Sequence, residues 1–289
     1  MENHRQNIYE AVNETILRHL ESGVVPWRQT WIGKGRPVNR LTGRPYRGIN
    51  HILLNTLRYP TGEFVSFKQA KELGGSVRRG ERGHMVVFWK WIEPERDGQA
   101  EIEQDLSRYP YIQYHTVWNV AQCEGIEPLA LPSLQGEVPP SDRAERVVEG
   151  MADLPMIQFL DPEAYYDPRT DVVNVPERRH FESTGAYYSV LFHELVHSTG
   201  HKTRLSRKGI TETIRFGSSE YSFEELVAEM GACYLLSHCG MAPDNFSNNA
   251  AYIAGWMRKL KQERYAFIHA SVSAQRALDY ILGVGDKAE

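Results

Sequence analysis

Residues 193–197 read His-Glu-Leu-Val-His, and no other segment constrains the fold as tightly. Histidines four positions apart share one face of an α-helix, so both imidazoles can reach the same metal ion. Glu194, between them, is placed to act as general base on a water in the ion's open coordination position, where the water's pKa is drawn towards neutrality. The expected chemistry is hydrolysis of a peptide bond. The preceding stretch, Tyr187 to Phe192, is apolar and unbroken, as a buried helix requires. Gly200 is expected to stop that helix, with His201 and Lys202 near the negative end of its dipole.

A hydrolytic zinc site of this zincin pattern needs a third protein ligand. A histidine six residues past the second is one known source, but position 203 is Thr203. The better source is Phe223-Glu224-Glu225-Leu226-Val227-Ala228-Glu229-Met230, whose E-L-V-A-E is similar to the E-x-x-A-D helix of gluzincin proteases. Glu225 is then the ligand and Glu229 orients a ligand histidine from outside, with the two roles swapped as the alternative. Zn2+ is the expected ion, and another divalent cation such as Mn2+ the alternative. A donor for the tetrahedral oxyanion is also required, and Tyr221, Tyr187, Tyr188 and His201 are candidates between which the sequence does not choose. Asp171 to Val175 reads as a short strand, expected by analogy at a sheet edge where a substrate backbone could pair.

Charge separates the two halves. The whole chain carries −4, yet residues 23–90 hold 13 Lys and Arg against 3 Asp and Glu, a net of +10. Such asymmetry points to an anionic partner for the first half. Interleaved aromatics suit a single nucleic-acid strand better than a duplex, because a duplex hides its base faces. The candidate contacts are Trp27, Arg28, Trp31, Lys34, Arg36, Asn39, Arg40, Arg44, Tyr46, Arg47, Lys68, Arg78, Arg79 and Arg82. The competing reading is that the aromatics fill a small core and the arginines form a solvated face.

At 289 residues, 41% hydrophobic and 24% charged, the chain has room for two globular domains. Three cysteines without a Cys-x-x-Cys pair exclude a cysteine zinc site and a disulfide framework. With no membrane-length apolar run and no signal-peptide pattern at its start, the expectation is a cytoplasmic protein. Periodicity predicts helices over 4–21, 48–57, 67–73 and 143–151, and a long helical run from Asn248 to about Leu282. It also predicts a hairpin of strands 85–92 and 111–120. The fold class is α+β: an N-terminal α+β nucleic-acid-binding domain over 1–126, a proline-rich linker over 127–141, and a mainly helical metallopeptidase domain over 142–289.

Several long segments carry a family resemblance: PVNRLTGRPYRGIN (37–50), FVSFKQAKELGGSVRRGERG (64–83), YYSVLFHELVHSTGHKTRL (187–205) and YSFEELVAEMGACYL (221–235). The chain resembles the ArdC antirestriction proteins of conjugative plasmids, and its first half resembles the amino-terminal region of TraC-type plasmid primases. The resemblance implies a single-stranded DNA-binding domain joined to a SprT-like zincin domain, which helps incoming plasmid DNA escape restriction. SprT-like proteins usually take the third ligand from a histidine, so the Glu225/Glu229 helix is a departure. Three readings follow: a DNA shield with an accessory protease, a DNA-localised protease that cleaves DNA-bound or restriction proteins, or a binding module whose metal is structural.

Overall fold

The computed structural model describes residues 2–28, 36–92, 109–129, 139–212, 219–242, 250–263 and 265–284. Trp31 and Lys34 lie outside the described residues, as do residues 93–108 and residues 130–138 of the proline-rich stretch. Helix α1 (Glu2–Glu21) buries Ile8, Val12, Ile16 and Leu20, the stripe its four-residue spacing foretells. A 3-10 turn at Pro26–Arg28 follows, then strand β1 (Val38–Asn39), helix α2 (Gly48–Asn55), strand β2 (Glu63–Val65) and helix α3 (Phe67–Glu72). Ser66 and Gln69 start α3 with a reciprocal capping box. Strands β3 (Ser76–Val77), β4 (His84–Ile92), β5 (Tyr109–Asn119) and β6 (Cys123–Glu124) complete the first half.

Four of these strands form one sheet in the order β1-β2-β5-β4, with β1 parallel to β2 and the other pairs antiparallel. The β4–β5 hairpin pairs as expected, with Phe88 opposite Gln113. Strand β4 is the sheet's outer strand, and Asn50 of α2 satisfies its open backbone. The Asn50 amide donates to the Val87 carbonyl and its Oδ1 accepts from the Val87 N–H, both at 2.7 Å.

The second half comprises helix α4 (Pro140–Glu149), strands β7 (Met156–Gln158), β8 (Tyr165–Asp167) and β9 (Val172–Asn174), then helices α5 (Thr184–Ser198), α6 (Lys208–Thr211), α7 (Ser219–Cys239), α8 (Ala250–Gln262) and α9 (Ala266–Ile281). Two expectations need correction. Strand β9 is central, flanked by β7 in parallel and β8 antiparallel, so both its edges are taken and it cannot receive a substrate strand. The buried Asn174 side chain fixes that place by bonding backbone groups of Leu160, Asp161 and Glu163. The run after Asn248 divides into two helices rather than one. Helix α5 ends at Ser198 with Thr199 as its C-cap, so Gly200 stands just past the end of the helix, as expected.

The main apolar core runs through both halves, and two smaller clusters, around Phe64 and around Val65, lie in the first. The main core joins α1, Trp27, α2 and the hairpin residues Val87 and Ile112 to α5, α7 and α9. Asn13 of α1 donates to the Leu260 carbonyl of α8 at 2.9 Å. Within this core α5 and α7 cross where Gly231 meets Val196. A Cβ at Gly231 would lie 2.7 Å from a Val196 methyl, so the helices reach this spacing only with glycine there. Among the described residues, no helix is long and apolar enough to cross a membrane.

Candidate metal centre

Ser183 caps α5 by accepting the Ala186 N–H at 3.0 Å, and the helix then carries His193, Glu194 and His197 into the core. The close α5–α7 crossing brings Glu225 over both histidines. His193 Nε2 and His197 Nε2 are 3.1 Å apart, and the Glu225 oxygens stand 3.5 Å from the first and 3.6 Å from the second. All three ligand atoms lie within 4.8 Å of one another. Ligands about 2.0–2.2 Å from a tetrahedral ion stand roughly 3.3 Å apart. The donor set therefore fits a divalent metal: two imidazole nitrogens and a carboxylate, spaced as one ion requires.

The residue that orients His197 is Glu224, not Glu229. His197 Nδ1 lies 3.4 Å from Glu224 Oε1, which places the ring proton on that side and leaves Nε2 free to ligate. Arg207 grips the same carboxylate at 2.6 and 3.0 Å, and bonds the Val196 carbonyl and the Thr199 hydroxyl at the end of α5. Gly209 admits this arrangement, because a Cβ there would sit 2.9 Å from Glu224. Burial alone would raise the Glu224 pKa, but its bonds to His197 and Arg207 prevail and hold it below the usual carboxylate range. Glu229 faces the other way, towards Trp27, Arg28 and Tyr252, and is neither ligand nor orienter.

Of the four oxyanion candidates, Tyr221 is at the centre. Its hydroxyl bonds Glu225, and burial followed by the charges of Glu225 and Glu194 pushes its pKa up to about 12, so it keeps its proton at neutral pH. Glu194 is buried close by. Tyr187 packs edge-on between Phe181 and Tyr188, while Tyr188 is fully buried with its hydroxyl on Glu145; both belong to the core. His201 bonds Thr203 in the turn beyond α5.

The basic candidates divide similarly. Trp27 is 3% exposed, set against Trp256 and Phe267 with its indole N–H on Glu229, so it has no face for a base. Arg28 is paired to Glu229 and lies over the Tyr252 ring. Tyr46 is buried against Phe64. Asn39 caps a turn by accepting from Leu41 and Thr42, Arg40 pairs with Glu63, and Arg47 pairs with Asp279. Arg78 is a strut, donating to the carbonyls of Ala121 and Cys123. These seven residues hold the fold. Arg36, Arg44, Lys68, Arg79 and Arg82 are exposed. So are Phe67 at 48%, Phe88 at 38% and Tyr114 at 49%, which strand alternation did not signal, since Phe88 and Tyr114 share their parity with buried Val86 and Ile112.

The sequence pattern of the zincin-like metallopeptidase family matches residues 142–273, and that of the N-terminal domain of anti-restriction factor ArdC matches residues 6–118. The crystal structure of the antirestriction ArdC protein from the R388 plasmid in its metal-free form superposes with a TM-score of 0.74 at 34% identity, covering 94% of this chain and 96% of that one. The chain belongs to the ArdC antirestriction family. The Mn(II)-bound R388 ArdC structure gives a TM-score of 0.75 at 33% identity, covering 97% of this chain and 99% of that one. An uncharacterized protein, y4eC, from Sinorhizobium fredii is 33% identical over 95% of this chain and 91% of its own length. The DNA primase TraC of Escherichia coli is 31% identical over 98% of this chain, which spans only 20% of the primase. The two-domain ArdC architecture and the α+β class expected from sequence are thus found in the fold.

Proposed function

We propose that this ArdC-family chain binds single-stranded DNA through its first half, residues 1–126, and shields incoming plasmid DNA from restriction during conjugation. We further propose that residues 142–289 form a metal-dependent peptidase. The observation that carries the DNA reading is the set Arg36, Arg44, Lys68, Arg79 and Arg82. These exposed cations have no side-chain hydrogen bond or ion pair among the described residues, and exposed Phe67, Phe88 and Tyr114 are interspersed with them in the first half. Unpaired cations neutralise phosphates and exposed rings stack bases. Likeness to ArdC and to a DNA primase supports the same partner.

His193, His197 and Glu225 would hold Zn2+ or Mn2+, which when bound supplies Lewis-acid charge at the scissile carbonyl. Glu194 takes the proton of the attacking water and passes it to the leaving amine. Tyr221 donates its phenolic hydrogen to the oxyanion as charge develops there. Glu224 keeps the His197 tautomer fixed throughout.

Glu194→Gln tests the division of labour. It should retain metal and DNA binding while lowering cleavage of labelled casein, with Mn(II) or Zn(II) and oligo-dT present, at least a hundredfold. Plasmid transfer into a restricting recipient then decides the role of proteolysis. Protection that survives the change fits a DNA shield with an accessory peptidase. Protection lost with DNA binding intact fits a DNA-localised protease.

A further inference from the structure

A cleft of about 560 Å³ lies where the β4 strand meets α9, and its wall comes from both halves of the chain. The turn at 42–47, the start of α2 and Phe88 line one side, and Gln275 and Arg276 of α9 line the other. Two contacts close its floor. The Gly48 N–H donates to Gln275 Oε1 at 2.9 Å, and the Arg47 guanidinium pairs with Asp279. Gly48 can sit against α9 because it takes a left-handed φ of +52°, which a side chain would strain.

Those contacts leave Arg44 and Arg276 over. Both are exposed, and neither has a side-chain hydrogen bond or ion pair among the described residues. Phe88 is exposed beside them. The Asn50 clamp fixes the backbone of the preceding residue, Val87, and His115 packs edge-on at 5.4 Å, so the ring is held in place. An aromatic ring sharing one cleft with two exposed guanidiniums, neither paired among the described residues, suits a base with its flanking phosphates. The volume lies in the range of ligand clefts, about 300–1,000 Å³. A duplex presents no free base face, and an acidic peptide offers nothing flat for the ring.

We propose that this cleft holds one nucleotide of a single DNA strand, with the base on Phe88 and the flanking phosphates on Arg44 and Arg276. Helix α9 of the metallopeptidase half is then part of the DNA site, and a bound strand bridges the two halves. The proposal rests on the reading that the first half binds single strands.

The test is a salt series of binding to labelled oligo-dT by the full-length protein, comparing wild type with Arg79→Ala, Arg276→Ala, Arg276→Lys and Phe88→Ala. Loss of one phosphate contact should make the slope of log K against log salt shallower by about 0.7, so Arg276→Ala shows that change and Arg276→Lys restores it. Phe88→Ala should weaken binding roughly tenfold or more with its slope unchanged. Equal metal content and unfolding midpoint confirm that the variants fold. Absence of wild-type binding overturns the single-strand reading, and this proposal with it. If wild type binds and Arg79→Ala lowers the slope while Arg276→Ala does not, the reading stands and this proposal fails. Displacement of the oligonucleotide by equimolar free dTMP assigns the cleft to a small ligand and overturns the strand.

Discussion

Replacing Glu229 by alanine should lower the unfolding free energy by about 3–5 kcal/mol while leaving the metal ligands in place. The Glu229 carboxylate accepts the Trp27 indole N–H and the Arg28 guanidinium, each at 3.0 Å, and the Tyr252 hydroxyl. The Arg28 side chain is only 7% exposed, so truncation strands a buried cation and leaves an indole donor without its acceptor. Burial first, then the Glu229 charge, raises the Tyr252 pKa far above the usual phenol value, so in the wild type this hydroxyl is a neutral donor to the carboxylate. This network ties the 3-10 turn of the first half to α7 and α8, and its loss is felt by the whole core. Urea unfolding in EDTA measures the effect and metal titration supplies the contrast. A variant with wild-type unfolding and metal affinity weakened tenfold or more would return Glu229 to a position beside a ligand histidine.

The difference between Glu224 and Glu229 shows which parts of the site could be read from sequence. His193, Glu194 and His197 were legible because an i, i+4 pair on one helix fixes its own geometry. Glu225 was legible as an acid on a buried helix, since a metal there needs a third ligand. Which neighbouring acid meets His197 depends on how α7 is rotated against α5. That rotation is set by the Gly231–Val196 contact, between residues 35 apart in sequence, and no periodicity reports it. Arg207 was missed for the same reason, since its bonds to Glu224 and to the end of α5 exist only after α6 folds back. Elements with local patterns, α1 and the β4–β5 hairpin, fell where expected. The central place of β9 did not, because strand order is a non-local property. In the basic half the composition points to an anionic partner without saying which side chains stay exposed, and burial divided the candidates. Trp27 and Tyr46 went to the core, and among the described residues of this half the exposed rings are those of Phe67, Phe88 and Tyr114.

Glu225→Ala should release the metal, weakening its binding by more than the roughly 10–100-fold expected of Glu224→Gln, where only the partner of a ligand changes. The proton competes for the same centre. Burial alone would lower the His197 pKa, but its bond to Glu224 and the charges of Glu194, Glu224 and Glu225 prevail and raise it above the usual imidazole value of about 6.5. In the metal-free chain His197 therefore holds its proton to higher pH than a free imidazole does, and metal retention falls as the pH drops through its folded value. Glu225 does not limit binding there: burial opposes its charge, yet His193, His197 and Tyr221 outweigh burial and keep its pKa depressed. Linkage gives the metal-free form the opposite slope. A raised His197 pKa contributes stability that is fully present below about pH 6.5 and lost as the pH rises through the folded value. A depressed Glu224 pKa contributes stability present above about pH 4.5 and lost as the pH falls through its folded value. Thermal midpoints from pH 5 to 8 should then diverge, with the EDTA-treated chain losing stability as the pH rises and the Mn(II)-treated chain gaining it. Glu225→Ala should give the EDTA curve under both conditions. Wild-type curves that coincide across the range would remove the metal from His193, His197 and Glu225.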